Sequence, residues 1–186
     1  HGEFLLINGG KMSKSLGNVY LLQDIVDRGY DPLVYKLFCY SIQYRKKLNF
    51  TWEGMDSAKI ALDRLREAYQ KHLTGTEDVA EELISKYEKD FNEAINDDLN
   101  MPVAMSVVWE VAKRTEKSKK VAELLKKFDR VLGIKIDEHK EEEIPDDIKE
   151  ARKNKDWAES DKIRDIIKEK GYIVKDSKEG QTVEKC

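Results

Sequence analysis

The sequence predicts a mainly α fold, in which an antiparallel helical bundle follows a short strand and loop segment and precedes a small α+β unit. Three observations lead to this prediction. Apolar residues recur at steps of three and four through residues 49–133, which is the period of amphipathic helices. Residues that commonly cap helices separate these periodic stretches. After Gly171 the pattern changes to short runs typical of a β-hairpin.

The first 48 residues are predicted to contain a strand, a loop and two short helices. An apolar run from Phe4 to Ile7 predicts the strand, and a glycine-rich loop follows it up to about residue 20. Residues 21–48 then hold the two helices. The second is expected to begin at Asp31-Pro32, because aspartate caps helix N-termini and proline suits the first helical position.

Residues 49–136 are predicted to form the bundle domain with four helices. Thr51, Thr76 and Asn100 are the expected N-caps of the first three, and Gly133 is the expected stop of the last. Short connections make consecutive helices antiparallel. The predicted helices are about 52–73, about 79–95, a stretch with an apolar stripe from Val103 to Ala112, and about 117–132.

The remaining residues are predicted to form a linker and a small second domain. Residues 137–144 are acidic and poor in apolar side chains, which indicates a solvated linker. Residues 145–186 are expected to be an α+β unit. Its predicted elements are helices over about 145–154 and 157–170, a strand over 172–176 and a returning strand over 181–183.

Composition limits the classes of function. Of 186 residues, 38% are charged and 40% hydrophobic, which describes a soluble chain with modest cores. The formal net charge is only −3, so any contact with nucleic acid must depend on local patches. No apolar stretch reaches the length of a membrane span. Cys39 and Cys186 are far apart and indicate neither a disulfide framework nor a zinc site, so a cytoplasmic location is expected.

The loop after the first strand carries the clearest chemical signal. Lysines and serines alternate within five residues, bracketed by glycines, at Lys11, Ser13, Lys14 and Ser15. Lysine is a mobile point charge suited to phosphate, and serine hydroxyls add hydrogen bonds to phosphate oxygens. Such a loop can close over a polyphosphate while negative charge develops in a transition state. The alternative interpretation is an exposed basic turn.

A second signal lies in the tail, where cations, one aromatic residue and carboxylates are closely spaced. Trp157 can stack on an unpaired base, and Arg152 can contact a phosphate or a base edge. Asp161 and Asp176 can accept hydrogen bonds from base amino groups. Proteins read RNA sequence mainly on splayed-out single-stranded bases. The alternative is that Trp157 packs between helix and hairpin while the cations face water.

The string KMSKSLGN resembles the KMSKS signature of class I aminoacyl-tRNA synthetases, whose loop stabilises the ATP phosphates during amino-acid adenylation. Together with further segments, it resembles one member of that class, the bacterial-type cysteinyl-tRNA synthetases, over nearly the whole chain. The resemblance implies a C-terminal portion from the KMSKS loop onward. The other matching segments, in family order, are HGEFL at 1–5, YRKKLNF at 44–50, DDLNMP at 97–102, ARKNKDWAESDKIRD at 151–165 and GYIVKD at 171–176.

This resemblance implies roles for particular segments. Residues 1–20 would end the catalytic domain, and Lys11, Ser13, Lys14 and Ser15 would act on ATP with magnesium, with Lys14 the best candidate for phosphate contact. Residues 21–48 would be the stem-contact segment, and the bundle would lie along the inner face of the tRNA. The set that would read the anticodon is Arg152, Trp157, Asp161 and Asp176. The closing hairpin departs from the family's Thr-Thr-Trp-Arg-like string, because it has Gln181-Thr182-Val183-Glu184 instead.

The intact enzyme implied by the resemblance activates cysteine with ATP and attaches it to cysteine tRNA. Its HIGH-type ATP motif and its zinc ligands are expected upstream, so no metal ligand is assigned to this chain and the chain is expected to be inactive alone. A cytoplasmic monomer is expected. His1, His72 and His139 receive no role.

Two alternatives remain open. One is the related cysteine ligase that acts on an aminosugar pseudo-disaccharide, a family without an anticodon-reading tail. The ARKNKDW segment at 151–157 argues against it. The other is a non-catalytic helical interaction module in which the KMSKS string is accidental. A module of that kind would have no need of a glycine-bracketed lysine and serine loop.

Overall fold

The computed structural model describes residues 2–138, 172–177 and 180–185, and for the last two ranges it describes the backbone. The chain divides into two compact units, His1–His139 and Lys140–Cys186. The predicted helices over 145–154 and 157–170 lie outside the described residues.

The first unit opens with a small sheet rather than the single strand predicted from sequence. Strands β1 (Leu5–Ile7) and β2 (Gly10–Lys11) form an antiparallel hairpin, and β3 (Leu48–Phe50) pairs parallel to β1 on its other side. Asn8 and Gly9 make the hairpin turn with φ of 49° and 77°, as a two-residue type I′ turn requires. The sequence predicted only a break at residues 49–51. Three residues of parallel pairing carry too little periodic signal to be recognised.

Helices α1 (Leu22–Asp27) and α2 (Pro32–Cys39) follow, as predicted. The Asp31 carboxylate accepts a hydrogen bond from the backbone N of Leu33 at 2.9 Å, so the predicted cap of α2 is confirmed. Thr51 caps α3 (Trp52–Leu73) in the same way, since its hydroxyl accepts from the backbone N of Gly54 at 3.0 Å.

The other three helices complete the bundle. They are α4 (Glu81–Asn96), α5 (Met101–Ala112) and α6 (Lys119–Leu132), and α6 ends at Gly133 with φ of 57°, as predicted. Asn100 occupies the N-cap position of α5, but its side chain donates to the carboxylate of Asp97 at 3.2 Å instead of capping the helix.

The predicted cap at Thr76 is wrong. Helix α4 begins five residues later, at Glu81, and Ala80 occupies its N-cap position. Thr76 forms an antiparallel β-bridge with Ser118, and Val79 is buried. Thr76 therefore pairs with the chain before α6 and does not begin a helical turn.

The core of the first unit lies between the four long helices. Helix α4 packs against α5 and α6, α3 packs against α6 and α5, and α2 packs onto α3. Phe91 of α4 stacks on Phe128 of α6 with ring centroids 4.1 Å apart. The same hydrophobic core contains fully buried aliphatic side chains, among them Met55, Leu65, Val108, Val121 and Leu125. The mainly α prediction is confirmed.

The chain after α6 is held against the bundle by polar side chains. The buried Asp129 carboxylate accepts from the backbone N atoms of Ile134 (2.9 Å) and Ile136 (3.1 Å). Asp137 and Glu138, the first two residues of the predicted linker, form ion pairs with Lys126 and Arg66. The rest of that segment lies outside the described residues, and the domain boundaries stay predictions.

The second unit contains an antiparallel hairpin of β4 (Tyr172–Ser177) and β5 (Gly180–Lys185). Its register runs from Tyr172 opposite Lys185 to Ser177 opposite Gly180. The two predicted tail strands are thus confirmed; the first is one residue longer than expected and the second three residues longer. Over the residues that the structure describes, no helix is long and apolar enough to cross a membrane.

Candidate functional site

The KMSKS loop (residues 11–15) is built on the first hairpin. Lys11 ends β2, and Lys14–Leu16 form one turn of 3₁₀ helix. The backbone N of Leu16 donates to the Ser13 carbonyl and that of Gly17 to the Lys14 carbonyl, each at 3.1 Å. Gly17 closes the turn with φ of 63°, a left-handed conformation that glycine adopts without steric cost.

Asn18 closes this loop into a ring, a role that the sequence prediction missed. Its side-chain amide donates to the Lys11 carbonyl at 3.0 Å, and its amide oxygen accepts from the backbone N of Ser13 at 2.8 Å. One side chain thus joins the first and the third residue of the motif. Asparagine after a glycine turn commonly bonds nearby backbone, which is the signal that could have identified it.

The charged groups of the loop face solvent. Lys11, Lys14 and Ser15 are exposed, and the hydroxyls of Ser13 and Ser15 lie 2.8 Å apart. Within the described part of the chain, neither lysine has a carboxylate within 4 Å, since neither appears among the ion pairs. The structure therefore brings the four predicted residues together, with two ammonium groups available to an anion.

The hairpin under the loop is fastened to β3. The Asn49 side-chain oxygen accepts from the backbone N of Gly9 at 2.6 Å, and the Phe50 carbonyl accepts from the backbone N of Asn8 at 3.0 Å. Beneath them lies an apolar cavity of about 90 Å³, and Met12 of the motif lines it beside Tyr20 and Phe50. Met12 is therefore the apolar anchor of an otherwise exposed loop.

The segment before β3 contacts the corner between α4 and α5. Arg45 binds the Asp98 carboxylate through two nitrogens, Nε at 2.5 Å and a terminal guanidinium nitrogen at 3.0 Å. The Tyr44 hydroxyl donates to the same carboxylate at 2.7 Å, and the Gln43 amide donates at 3.2 Å. These hydrogen bonds, those of Arg45 first, hold the pKa of Asp98 well below its usual range. The segments YRKKLNF and DDLNMP, separate in sequence, thus meet in space.

A second cationic feature lies on the bundle, as a groove of about 360 Å³ between α3 and α6. Two of its lysines are paired, Lys126 with Asp137 and Lys127 with Glu88. Lys119 and Arg130 also line the groove, and they have no carboxylate partner among the described residues. Glu123 lines the groove as well, so lysine and arginine side chains outnumber carboxylates in its described lining.

Three family models match the chain in order. They are the tRNA synthetases class I (C) catalytic domain over residues 1–60, the DALR domain over residues 90–137, and the cysteinyl-tRNA ligase anticodon binding domain over residues 149–183. The first match contains the KMSKS loop and the segment bound to Asp98, and the second contains Asp98 itself.

Curated relatives match the chain from end to end. Cysteine–tRNA ligase 1 of Burkholderia lata is 36% identical over 191 residues, covering 97% of this chain and 40% of the relative. The cysteine–tRNA ligases of Protochlamydia amoebophila and Chlamydia felis are 32% and 34% identical, covering all of this chain and 43% and 44% of the relatives. The chain thus corresponds to a part of the cysteinyl-tRNA synthetases.

The chain spans less than half the length of the cysteinyl-tRNA synthetases that it matches. Its first family match ends at residue 60, within α3, so residues 21–48 and the first turns of the bundle belong to that catalytic-domain match. Neither the three family models nor these relatives support the aminosugar ligase or the non-catalytic module.

The predicted anticodon-reading residues fall in the third family match. Arg152, Trp157 and Asp161 lie outside the described residues. Asp176 lies in β4, opposite Gln181 of β5. The assignment of these four residues stays a prediction from the sequence.

Proposed function

We propose that this chain supplies the KMSKS loop and the tRNA-reading part of a cysteine–tRNA ligase, which activates cysteine with ATP and attaches it to cysteine tRNA. The observation that carries this proposal is the succession of the three matches: a class I catalytic domain, a DALR domain and an anticodon binding domain, along one chain. The exposed lysines of the braced loop support the ATP role.

In the proposed reaction, a carboxylate oxygen of cysteine attacks the α-phosphorus of ATP. The bond from the α-phosphorus to the bridging oxygen breaks, and pyrophosphate leaves; a magnesium ion carried by ATP would add positive charge at the phosphates. Negative charge builds on the leaving phosphates, where Lys14 and Lys11 would provide positive charge and the Ser13 and Ser15 hydroxyls hydrogen bonds. Charge placed in advance at this point lowers the barrier more than it strengthens substrate binding.

The zinc expected for this family is assigned to the part of the relatives that the chain does not match. Among the residues that the structure describes, no cluster of three or more histidine, cysteine or acidic side chains could hold a metal ion. A cytoplasmic, monomeric enzyme is the expectation that the family resemblance carries.

The proposed RNA contacts divide between the two units. Arg152, Trp157, Asp161 and Asp176 would read unpaired anticodon bases by stacking and hydrogen bonding. Lys119 and Arg130, in the groove between α3 and α6, would attract the phosphate backbone without reading sequence.

Replacing the loop lysine tests the ATP role. In the ligase that contains this chain, Lys14→Ala is expected to slow cysteine-dependent pyrophosphate exchange by about 10²–10³-fold, with little change in cysteine binding. Lys89→Ala, in an exposed position on α4, is the matched control and should exchange at the wild-type rate. Equal rates for Lys14→Ala and wild type would remove Lys14 from the mechanism.

Replacing the tail aromatic tests the RNA role. Trp157→Ala is expected to weaken binding of unmodified cysteine tRNA about five- to hundredfold, the loss of one stacked base. A cysteine tRNA with a mutated anticodon should bind wild type and variant equally. Normal affinity with a lowered melting temperature would show that Trp157 is structural. Indifference of the wild-type chain to the anticodon would favour the two alternative functions.

A further inference from the structure

Residues 43–50 connect two sites that are far apart in sequence. At one end, Gln43, Tyr44 and Arg45 direct four side-chain hydrogen bonds at the Asp98 carboxylate. This carboxylate lies at the corner between α4 and α5. Exposed ion pairs usually contribute little, but a bidentate arginine joined by a tyrosine and an amide fixes both oxygens of one carboxylate in position.

At the other end, the same segment holds the KMSKS hairpin. The Tyr44 carbonyl accepts from the backbone N of Glu3 at 3.0 Å, immediately before β1. Four residues after Arg45, the Asn49 side chain accepts from the backbone N of Gly9 at the hairpin turn. The path from Asp98 to Gly9 therefore consists of hydrogen bonds and one short stretch of chain.

The corner itself is strained. Asp98 and Leu99 both have positive φ, 53° and 52°, and leucine rarely adopts that region. The backbone N of Asn100 bonds the Ala94 carbonyl and that of Leu99 bonds the Ile95 carbonyl, so the strained turn closes α4. A strained backbone persists only where surrounding contacts keep it in place. The hydrogen bonds from residues 43–45 to Asp98 are such contacts. Their loss would allow the corner and the segment to relax together.

We propose that Asp98 is a positioning residue for the KMSKS loop, acting through Tyr44 and Arg45 on the segment that holds Gly9. The bundle corner would thus determine how firmly the ATP loop is held, at a distance from any reacting atom. Its effect on catalysis rests on the proposed ligase function, whereas the mechanical coupling does not.

The coupling is testable on this chain by amide hydrogen exchange. Asp98→Asn should speed exchange at Gly9 and Asn8 by about two- to thirtyfold, the range of typical coupling effects. Exchange at Gly54, which is held by Thr51 at the start of α3, should not change. Asp97→Asn is the matched control, because in the described part of the chain the Asp97 carboxylate bonds only Asn100.

A second variant keeps the test valid if Asp98→Asn alters the corner. Arg45→Gln leaves Asp98 in place, removes the bidentate contact and should give the same change at Gly9. Unchanged Gly9 exchange in both folded variants would overturn the proposal. Faster exchange at Gly54 and Gly9 alike would also overturn it, because that result shows general loosening.

Kinetics in the ligase give a separate outcome. Asp98→Asn should lower kcat for adenylation several-fold with the KM for cysteine unchanged, while Asp97→Asn behaves as wild type. A lowered melting temperature without a change in kcat would make Asp98 merely structural. If Lys14→Ala has no effect while the Gly9 exchange still responds to Asp98, the ATP role proposed for Lys14 fails and the coupling stands. If Lys14→Ala slows pyrophosphate exchange but Gly9 exchange does not respond to Asp98→Asn, only the coupling is rejected.

Discussion

Asp129 and His72 are buried polar residues, and each joins two parts of the first unit through backbone groups. The Asp129 carboxylate holds the chain that leaves α6. The His72 ring lies between α5 and the link before α6, where Nε2 donates to the Ala112 carbonyl at 3.1 Å and Nδ1 accepts from the backbone N of Ser118. These bonds fix the neutral Nε2–H tautomer. Contacts between aliphatic side chains are not directional. The hydrogen bonds of Asp129 and His72 therefore determine how the connecting segments sit against the core.

Asp129→Asn should destabilise the first unit by about 1–3 kcal/mol. The backbone N–H groups of Ile134 and Ile136 each need an acceptor, and an asparagine side chain offers only one oxygen. Its NH₂ group, which can only donate, would then lie against one of these two N–H groups. Urea unfolding followed by circular dichroism measures the change. Asp63→Asn, on the exposed face of α3, should unfold with the wild-type midpoint. A midpoint for Asp129→Asn equal to that control would contradict the role given to the carboxylate.

Burial, and then the cations of Lys117 and Arg114, lower the pKa of His72 from its ordinary value of 6.5, despite the opposing bond to Ala112. Below pH 6.5 the unfolded chain binds a proton at this residue that the folded chain does not. The free energy of unfolding should therefore fall as the pH drops from about 6.5 towards the lower folded-state pKa. Unfolding of wild type and His72→Gln between about pH 7.5 and 5.5, a range that brackets the ordinary pKa, measures this fall, and parallel curves would refute it.

At the scale of elements, the link between α3 and α4 is packed against the link between α5 and α6. The backbone N of Glu77 donates to the Lys117 carbonyl at 2.9 Å, and Thr76 bridges to Ser118. Gly75 makes this approach possible, since a Cβ there would lie 2.1 Å from the backbone C and O of Lys117. The two links thus form one crossing on which the spacing of the helices depends.

Gly75→Ala should destabilise the unit by about 1–3 kcal/mol or more, because backbone cannot yield as a flexible side chain does. The matched change is Gly2→Ala, whose Cβ would lie 3.5 Å from the Tyr44 carbonyl, an ordinary contact. Differential scanning calorimetry on both variants decides the matter. A melting temperature of Gly75→Ala within error of Gly2→Ala would show that the crossing can shift without cost.

Helices and their caps were predictable from sequence where the signal is local. Asp31, Thr51 and Gly133 act within one turn of their own helix, and all three predictions are confirmed. Thr76 was assigned wrongly because its partner, Ser118, is distant in sequence. Strand β3 and the contact of Arg45 with Asp98 were missed for the same reason. In the candidate site, the lysines and serines of the loop were predictable from their chemistry. The hydrogen bonds of Asn18 and Asn49 were not, because they depend on which backbone groups the folded chain brings near these side chains.

On the scale of the whole molecule, the first unit has a core of its own. Its buried hydrophobic residues run from Ile7 in β1 to Ile136 after α6. Asp137 and Glu138 are tied to it by Lys126 and Arg66. The cationic groove, the KMSKS loop and the Asp98 corner all belong to this unit. The segments proposed to read the anticodon belong to the other.

A chain ending at His139 should therefore fold cooperatively, with the midpoint of the first unit in the full chain. It should retain weak, salt-sensitive binding of RNA through its lysines and arginines. It should not distinguish cysteine tRNA from the anticodon-mutated form. Chemical unfolding and tRNA titrations at two salt concentrations measure both properties. Discrimination of the anticodon by the shortened chain would move the reading residues into the first unit.

The pairing of β1 with β3 also has a consequence for the order of folding. The bond from Gly9 to Asn49 closes a loop of forty residues, whereas the hairpin turn and each helix are local. Contacts of high sequence separation form late, since the chain loses entropy before it gains them. Although Asn8 and Gly9 are synthesised before the bundle, they reach their final position only when α1 and α2 have folded back and β3 has arrived. The KMSKS loop is then among the last parts of the first unit to mature, and its lysines stay out of register until β3 has paired with β1.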